Sequence, residues 1–266
     1  MLNHSIKSAA VVLLLSLCSQ HVSAQQSLSD KIITIAVKYL GTPYVGHTLE
    51  VNDKEELIIN CDEVDCTTFL EYVTAEAISP ANHTTGEITE GDFADKVRTL
   101  RYKDGKITDY ASRNHYFTEW INNNIKNGII EDVTAHFMKS NGIVNVNYMT
   151  THPDLYKHLK NDKAMQQKIR RNEEAINGQE FAYIPKKILP SEGYNWIKNG
   201  DLIAIVTNRP GLDIAHVGFA FYANDLLMFI HASSTSKKVE VSEKPLTQML
   251  KENNNWVGIR VLRIKD

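Results

Sequence analysis

The chain has 266 residues, of which 42% are hydrophobic and 23% charged, with 13 glycines and 7 prolines. That composition is ordinary for a globular protein and excludes collagen-like, coiled-coil and disordered readings; the length supplies core enough for one sizeable domain or two small ones. A formal charge of −3 shows no basic excess, so no nucleic-acid partner is expected.

Residues 1–24 hold Lys7, an apolar run from Ala9 to Leu17, and then Val22-Ser23-Ala24. This is the layout of a secretory signal and predicts cleavage after Ala24. The run is too short for a permanent membrane helix, so no stable membrane insertion is expected. Lipoprotein anchoring at Cys18 is the competing outcome, but Leu17 stands where that processing prefers a small residue. Cleavage leaves Cys61 and Cys66. With no disulfide framework, the fold must rest on its core. The two cysteines either close a small, strained loop or leave a thiol free for chemistry.

In chain order, Ser27 to Asp30 offer caps for a helix whose apolar positions run from Ile32 to Leu40, stopped by Gly41-Thr42-Pro43. Residues 44–60 read as extended or looped, ending in a strand-like ELIIN. A helix is predicted from Cys66, with Phe69, Val73 and Ala77 on one face and Pro80 ending it. The polar middle, roughly 81–195, predicts helices at 91–102, 115–127 and 162–177. Apolar runs at 201–207, 215–222 and 226–234, then 237–242 and 256–264, predict strands, with Asn224-Asp225 as a hairpin turn. Helices first and an antiparallel sheet later define an α+β class. No internal repeat is present.

Cys66 follows Asp65, a plausible N-cap, and begins its helix. A helix start directs free N–H groups and positive dipole at the thiol, which predicts a lowered pKa and a thiolate nucleophile with the Cys66 N–H aimed at an oxyanion. His216 lies in an apolar strand, sharing a face with Gly218 and Ala220 while Val217 and Phe219 take the other. His231 lies on the next predicted strand, so a hairpin brings the two together. Thiol, imidazole base and a polar group orienting that base form a complete nucleophilic set.

The segments GTPY (41–44), DCTTF (65–69), NGDLI (199–203), HVGFAFY (216–222) and IHASS (230–234) occur in the order of the NlpC-type papain-like cell-wall hydrolases. The stretches YVGHTLE, ELIINCDEVDCTTFLE and SRNHYFTEW resemble, more closely, a secreted N-acetylmuramoyl-L-alanine amidase-like branch. The resemblance implies a circularly permuted papain-like fold with Cys66, His216 and His231 as the catalytic set, and Tyr44 beside the nucleophile. It implies a peptidoglycan amidase cutting between N-acetylmuramic acid and L-alanine, with muropeptides as partners and no cofactor; the signal layout adds the expectation of a periplasmic protein, and a monomer is expected. A stem-peptide endopeptidase of the same fold and a non-catalytic muropeptide binder are the alternatives. Two residues depart from the pattern: His47 stands where glycine is expected, and Cys61 is not expected at its position.

Cys66 and His216 are 150 positions apart, farther than in compact hydrolases of this type, so the segment between them is expected to build substrate walls within a single domain. Arg113, His115 and Tyr116 are its best candidates for substrate contact, Arg113 by forking onto a carboxylate or carbonyl; Tyr183 is a weaker one. His152 and His158 have the wrong phase for one helix face and no HExxH occurs, so no metal site is expected. A G-x-S-x-G elbow and a phosphate-cradling glycine loop are also missing.

Overall fold

The computed structural model describes residues 27–81, 85–139 and 141–265. The signal and lipoprotein expectations fall outside them. Helix α1 (Leu28–Lys38) starts where Ser27 Oγ accepts the Asp30 N–H at 3.1 Å. Gly41, with φ of 91°, turns the chain away after it. Helix α2 (Cys66–Ile78) is followed by α3 (Glu90–Arg101), α4 (Phe117–Lys126), the short α5 (Thr134–Phe137) and α6 (Tyr148–Thr151), α7 (Lys163–Ile176) and α8 (Leu246–Glu252). The strands are β1 (Ile130–Asp132), β2 (Asn141–Ile143), β3 (Glu180–Ala182), β4 (Ile184–Pro185), β5 (Leu202–Thr207), β6 (Ile214–Ala223), β7 (Leu226–Ser233), β8 (Lys238–Val241) and β9 (Trp256–Ile264).

The α+β expectation holds. One sheet runs in the order β1-β9-β5-β6-β7-β8, with β4 also paired to β9, and its pairings are antiparallel. β2 and β3 form a separate pair. Helix α2 lies on one sheet face, where Phe69, Leu70 and Val73 meet Val217, Phe219 and Ile230. On the other face, Ile203, Ala220, Phe229 and Val261 pack with Leu246 and Leu250 of α8. The period-2 alternation of β6 thus separates two cores, with Val217 and Phe219 in the first and Ala220 in the second. Asn224 and Asp225 have φ of 49° and 61°, the double left-handed backbone of a type I′ hairpin turn.

The segment between Cys66 and His216 is partly absorbed into the main body. Val97, Leu100, Trp120 and Ile121 of α3 and α4 join the α2 core, while Tyr110, Tyr116, Val146, Met149, Leu159 and Ile169 form a third cluster. ELIIN corrects one expectation, because it belongs to no strand. Side chains take up part of its backbone instead: Arg101 Nη1 donates to the Ile58 carbonyl at 2.5 Å, and the Tyr72 hydroxyl accepts the Asn60 N–H at 3.0 Å.

Gly218 shows why small residues flank His216. A Cβ there would lie 2.3 Å from the Ile230 carbonyl and 2.9 Å from the Phe229 ring. Gly218→Ala is therefore expected to cost about 1–3 kcal/mol through overpacking, read as a lowered urea midpoint. An unchanged midpoint would mean that β6 and β7 yield without cost.

Candidate active site

Asp65 caps α2 with a reciprocal box: its carboxylate accepts the Thr68 N–H at 2.8 Å, and Thr68 Oγ1 accepts the Asp65 N–H at 2.9 Å. The Phe69 N–H closes on the Asp65 carbonyl at 3.0 Å. The Cys66 and Thr67 N–H groups are the ones the cap leaves open at this end of the helix. Cys66 is free, as is Cys61, so the two do not form a disulfide. The Cys61 thiol instead meets the Tyr39 hydroxyl.

The thiolate expectation is corrected. Burial, and next the adjacent Asp65 carboxylate, push the Cys66 thiol up to about 12, despite the Val217 N–H and the Thr67 hydroxyl directed at the sulfur. The helix start does favour an anion, but the capping carboxylate that makes the start also repels one. Tyr44 sits beside this sulfur and is likewise raised to about 12, by burial first and then by Cys66 and Asp65.

His216 and His231 are brought together as the hairpin predicts. His216 Nε2 lies 2.8 Å from His231 Nδ1, with the rings perpendicular and their centroids 4.9 Å apart. This contact leaves Nδ1 as the free nitrogen of His216. The Trp256 ring of β9 stacks parallel to His216 at 6.0 Å, and Phe229 lies edge-on at 5.7 Å. Burial depresses both histidines, His216 to about 3 with a further push from His231, and His231 to about 4 against the attraction of Glu240. At neutral pH the site therefore holds a thiol and two neutral imidazoles.

Cys66 and His216 open onto one cavity of about 240 Å³. The intervening segment builds much of its wall, through Tyr110, Asn114, His115, Tyr116, Met149 and Tyr156. His47 and Glu50 form the rim from the other side. His47 has φ of 64°, a left-handed backbone that favours the glycine expected at this position.

The candidate binding residues divide. His115 lines the cavity, its Nε2 donating to the Tyr110 carbonyl at 2.7 Å; burial, and then Arg113, hold it neutral. Tyr116 also lines it, but its hydroxyl is committed, donating to Glu173 at 2.7 Å and accepting the Met149 N–H at 3.0 Å. Arg113, expected to contact substrate, has its guanidinium engaged within the chain. It is buried and outside the lining, and its Nε and Nη2 fork onto Glu55 at 2.9 and 2.7 Å while Nη1 reaches Glu50 at 2.9 Å. Tyr183 is likewise not among the lining residues.

Asp213, missed in the sequence, ties the site together. Its Oδ2 accepts the Thr118 N–H of α4 at 2.6 Å and its Oδ1 the Ile214 N–H at 2.8 Å. It fastens the entry of β6, and so His216, to the intervening segment. The available signal was a lone acid just before an apolar strand. Among the described residues no three His, Cys, Asp or Glu are grouped to hold a metal ion, and no helix is long and apolar enough to cross a membrane.

The depressed histidines set a pH dependence of stability. Both folded-state values lie below the ordinary 6.5, so between about pH 6.5 and 4 the unfolded chain binds more protons. Stability is complete above that window and falls as pH drops through it, by at most ~1.4 kcal/mol per pH unit for each histidine. Urea unfolding at pH 7.5 and 5.0 is expected to show a loss of about 1–3 kcal/mol, reduced in His231→Gln. Equal stability at both pH values would mean that the folded pair accepts protons freely.

The fold and site define an α+β protein whose cavity joins a cysteine at a helix start to a paired histidine. The chain belongs to the AmiA-like, N-acetylmuramoyl-L-alanine amidase-like family, whose model matches residues 34–259. It is similar to an N-acetylmuramoyl-L-alanine amidase from Bacteroides uniformis, with 52% identity and a TM-score of 0.87 over 89% of this chain and 99% of that one. A Bacteroides fragilis structure named as a candidate xylanase is 48% identical, with a TM-score of 0.84 over 87% of this chain and 99% of that one. A Legionella pneumophila protein, LPG0564, shares the fold at 24% identity and a TM-score of 0.68, over 97% of this chain and 94% of that one. Comparison with curated proteins finds no match.

Proposed function

We propose that this chain is a secreted cysteine amidase that cuts the amide between N-acetylmuramic acid and L-alanine in peptidoglycan fragments. The observation that carries the reading is the cavity shared by Cys66 and His216, with His216 Nε2 held by His231. Cysteine at a helix start, followed in the chain by histidines on adjacent strands, supports a permuted papain-like fold of NlpC type. Family membership supports peptidoglycan as the substrate and a place outside the cytoplasm. The signal layout of residues 1–24 supports export to the periplasm.

The chemistry starts from the neutral pair. As Cys66 Sγ attacks the amide carbon, His216 Nδ1 takes its proton. The Cys66 N–H, at the positive end of α2, stabilises the oxyanion. The same Nδ1 then protonates the leaving amine of the peptide. Water attacks the thioester as His216 takes its proton, the C–S bond breaks to release the muramic acid carboxyl, and His216 returns the proton to Cys66 Sγ. The narrow cavity favours small soluble muropeptides over cross-linked wall.

Retaining or inverting glycoside hydrolysis would need two available carboxyl groups. Here Asp213 gives both oxygens to backbone N–H groups, and Glu50 Oε1 is held by Arg113, so the xylanase name of one relative finds little support in this cavity.

Mass spectrometry of products from an N-acetylmuramoyl tripeptide tests the reading. Free N-acetylmuramic acid plus tripeptide is expected, with turnover abolished in Cys66→Ser and insensitive to a metal chelator. An N-acetylmuramoyl dipeptide product would make the chain a stem-peptide endopeptidase. Binding without turnover would make it a muropeptide-binding module.

A further inference from the structure

We propose that Glu240 is a positioning residue which, through His231, holds His216 in the tautomer able to take the Cys66 proton. The inference rests on the cysteine-amidase reading above. It starts from register. β7 and β8 pair antiparallel with His231 directly opposite Glu240, and directly opposed residues project their side chains onto the same sheet face. Both line a second cavity of about 670 Å³, which meets the first at Ala215 and His216. His231 is buried, Glu240 half-buried. Among the described residues the Glu240 carboxylate takes no hydrogen bond and no ion pair.

The contact between the histidines can be made in two ways. In one, His216 Nε2–H donates to His231 Nδ1, which leaves a lone pair on His216 Nδ1 for the thiol proton and an N–H on His231 Nε2. In the other, His231 Nδ1–H donates to His216 Nε2, so His216 carries its proton on Nδ1 and cannot act as a base. His231 Nε2 then bears a lone pair. A carboxylate on the same sheet face as this ring attracts the N–H of the first arrangement and repels the lone pair of the second. Glu240 therefore selects the productive tautomer without touching substrate. Of the other charged groups around this cavity, Lys244 and Glu252 pair at 2.6 Å, while Arg209 and Glu243 are exposed.

Long-range 1H–15N spectra of the imidazoles, with His231→Ala for assignment, read the tautomers directly. Wild type is expected to show protonated Nε2 on both rings, and Glu240→Gln to populate the Nδ1–H form of His231. On an N-acetylmuramoyl tripeptide, Glu240→Gln is expected to lose about tenfold in kcat with little change in KM. The acid limb of its rate profile is expected to move to lower pH, since the charge that favours protonated His231 is gone. Glu240→Asp should recover most of the rate. Wild-type tautomers in Glu240→Gln, or a fall in kcat without a tautomer change, would overturn the proposal. Activity surviving in Cys66→Ser would overturn the cysteine reading instead, and the spectra would still report on Glu240.

Discussion

His216→Ala is expected to lower kcat/KM by about 10³–10⁴-fold, or roughly 4–5.5 kcal/mol, with an unchanged far-UV spectrum. The size follows from the resting state. With the thiol pushed up to about 12 by burial and the adjacent Asp65, the protonated thiol is the resting form at neutral pH. The proposed mechanism cannot draw on a standing thiolate, so proton transfer to His216 must accompany attack. His231→Ala removes the group that orients the base and not the base itself, so a smaller loss of about 10–100-fold is expected. The state of the thiol has its own readout. Inactivation by iodoacetamide should rise with pH and show no inflection below about pH 9. An inflection near pH 6 would mean a preformed thiolate–imidazolium pair, and would remove the reason for so large an effect of His216→Ala.

What could be read from the sequence was local or periodic. Asp65 announces the helix that begins at Cys66 because an N-cap acts within one turn. Alternation in β6 and the Asn224-Asp225 turn bring His216 to His231 because a hairpin's register follows from its turn. What escaped depended on partners distant in the chain. ELIIN has strand-like residues, but the side chains of Arg101, Tyr102 and Tyr72 bond to its backbone. The strand containing Glu240 was evident, yet its placement opposite His231 required the β7–β8 register. The thiol state failed for another reason. Two effects of one residue oppose each other at Cys66: Asp65 builds the helix end and adds a negative charge beside it, and burial settles the balance against the anion.

Arg113 is the furthest case, and its replacement should have the largest effect on stability. Its partners Glu50 and Glu55 lie 63 and 58 positions away, so the sequence shows only an arginine in a polar cluster. Folded, the guanidinium joins the wall-building segment to the loop over residues 45–60. Glu55 is 1% exposed in its side chain and also accepts from the Tyr102 hydroxyl at 2.6 Å. Arg113→Ala leaves that carboxylate buried and unpaired, and it frees Glu50 as well. A cost of about 3–5 kcal/mol is expected, because breaking a buried pair from one side exposes the full desolvation penalty of the other. Arg113→Lys should recover only part of it, since an ammonium cannot reproduce the fork. Arg113→Met combined with Glu55→Leu should be milder than Arg113→Ala, because no charge is then stranded at position 55. Glu50 and His47 line the cavity from this loop, so loosening it should raise KM while Cys66, His216 and His231 stay in place on α2, β6 and β7. Urea unfolding and muropeptide kinetics separate the two roles open to this side chain. A large stability loss with a raised KM marks a strut beneath the cavity rim. Wild-type stability with a selective loss of substrate affinity would put the guanidinium on the substrate.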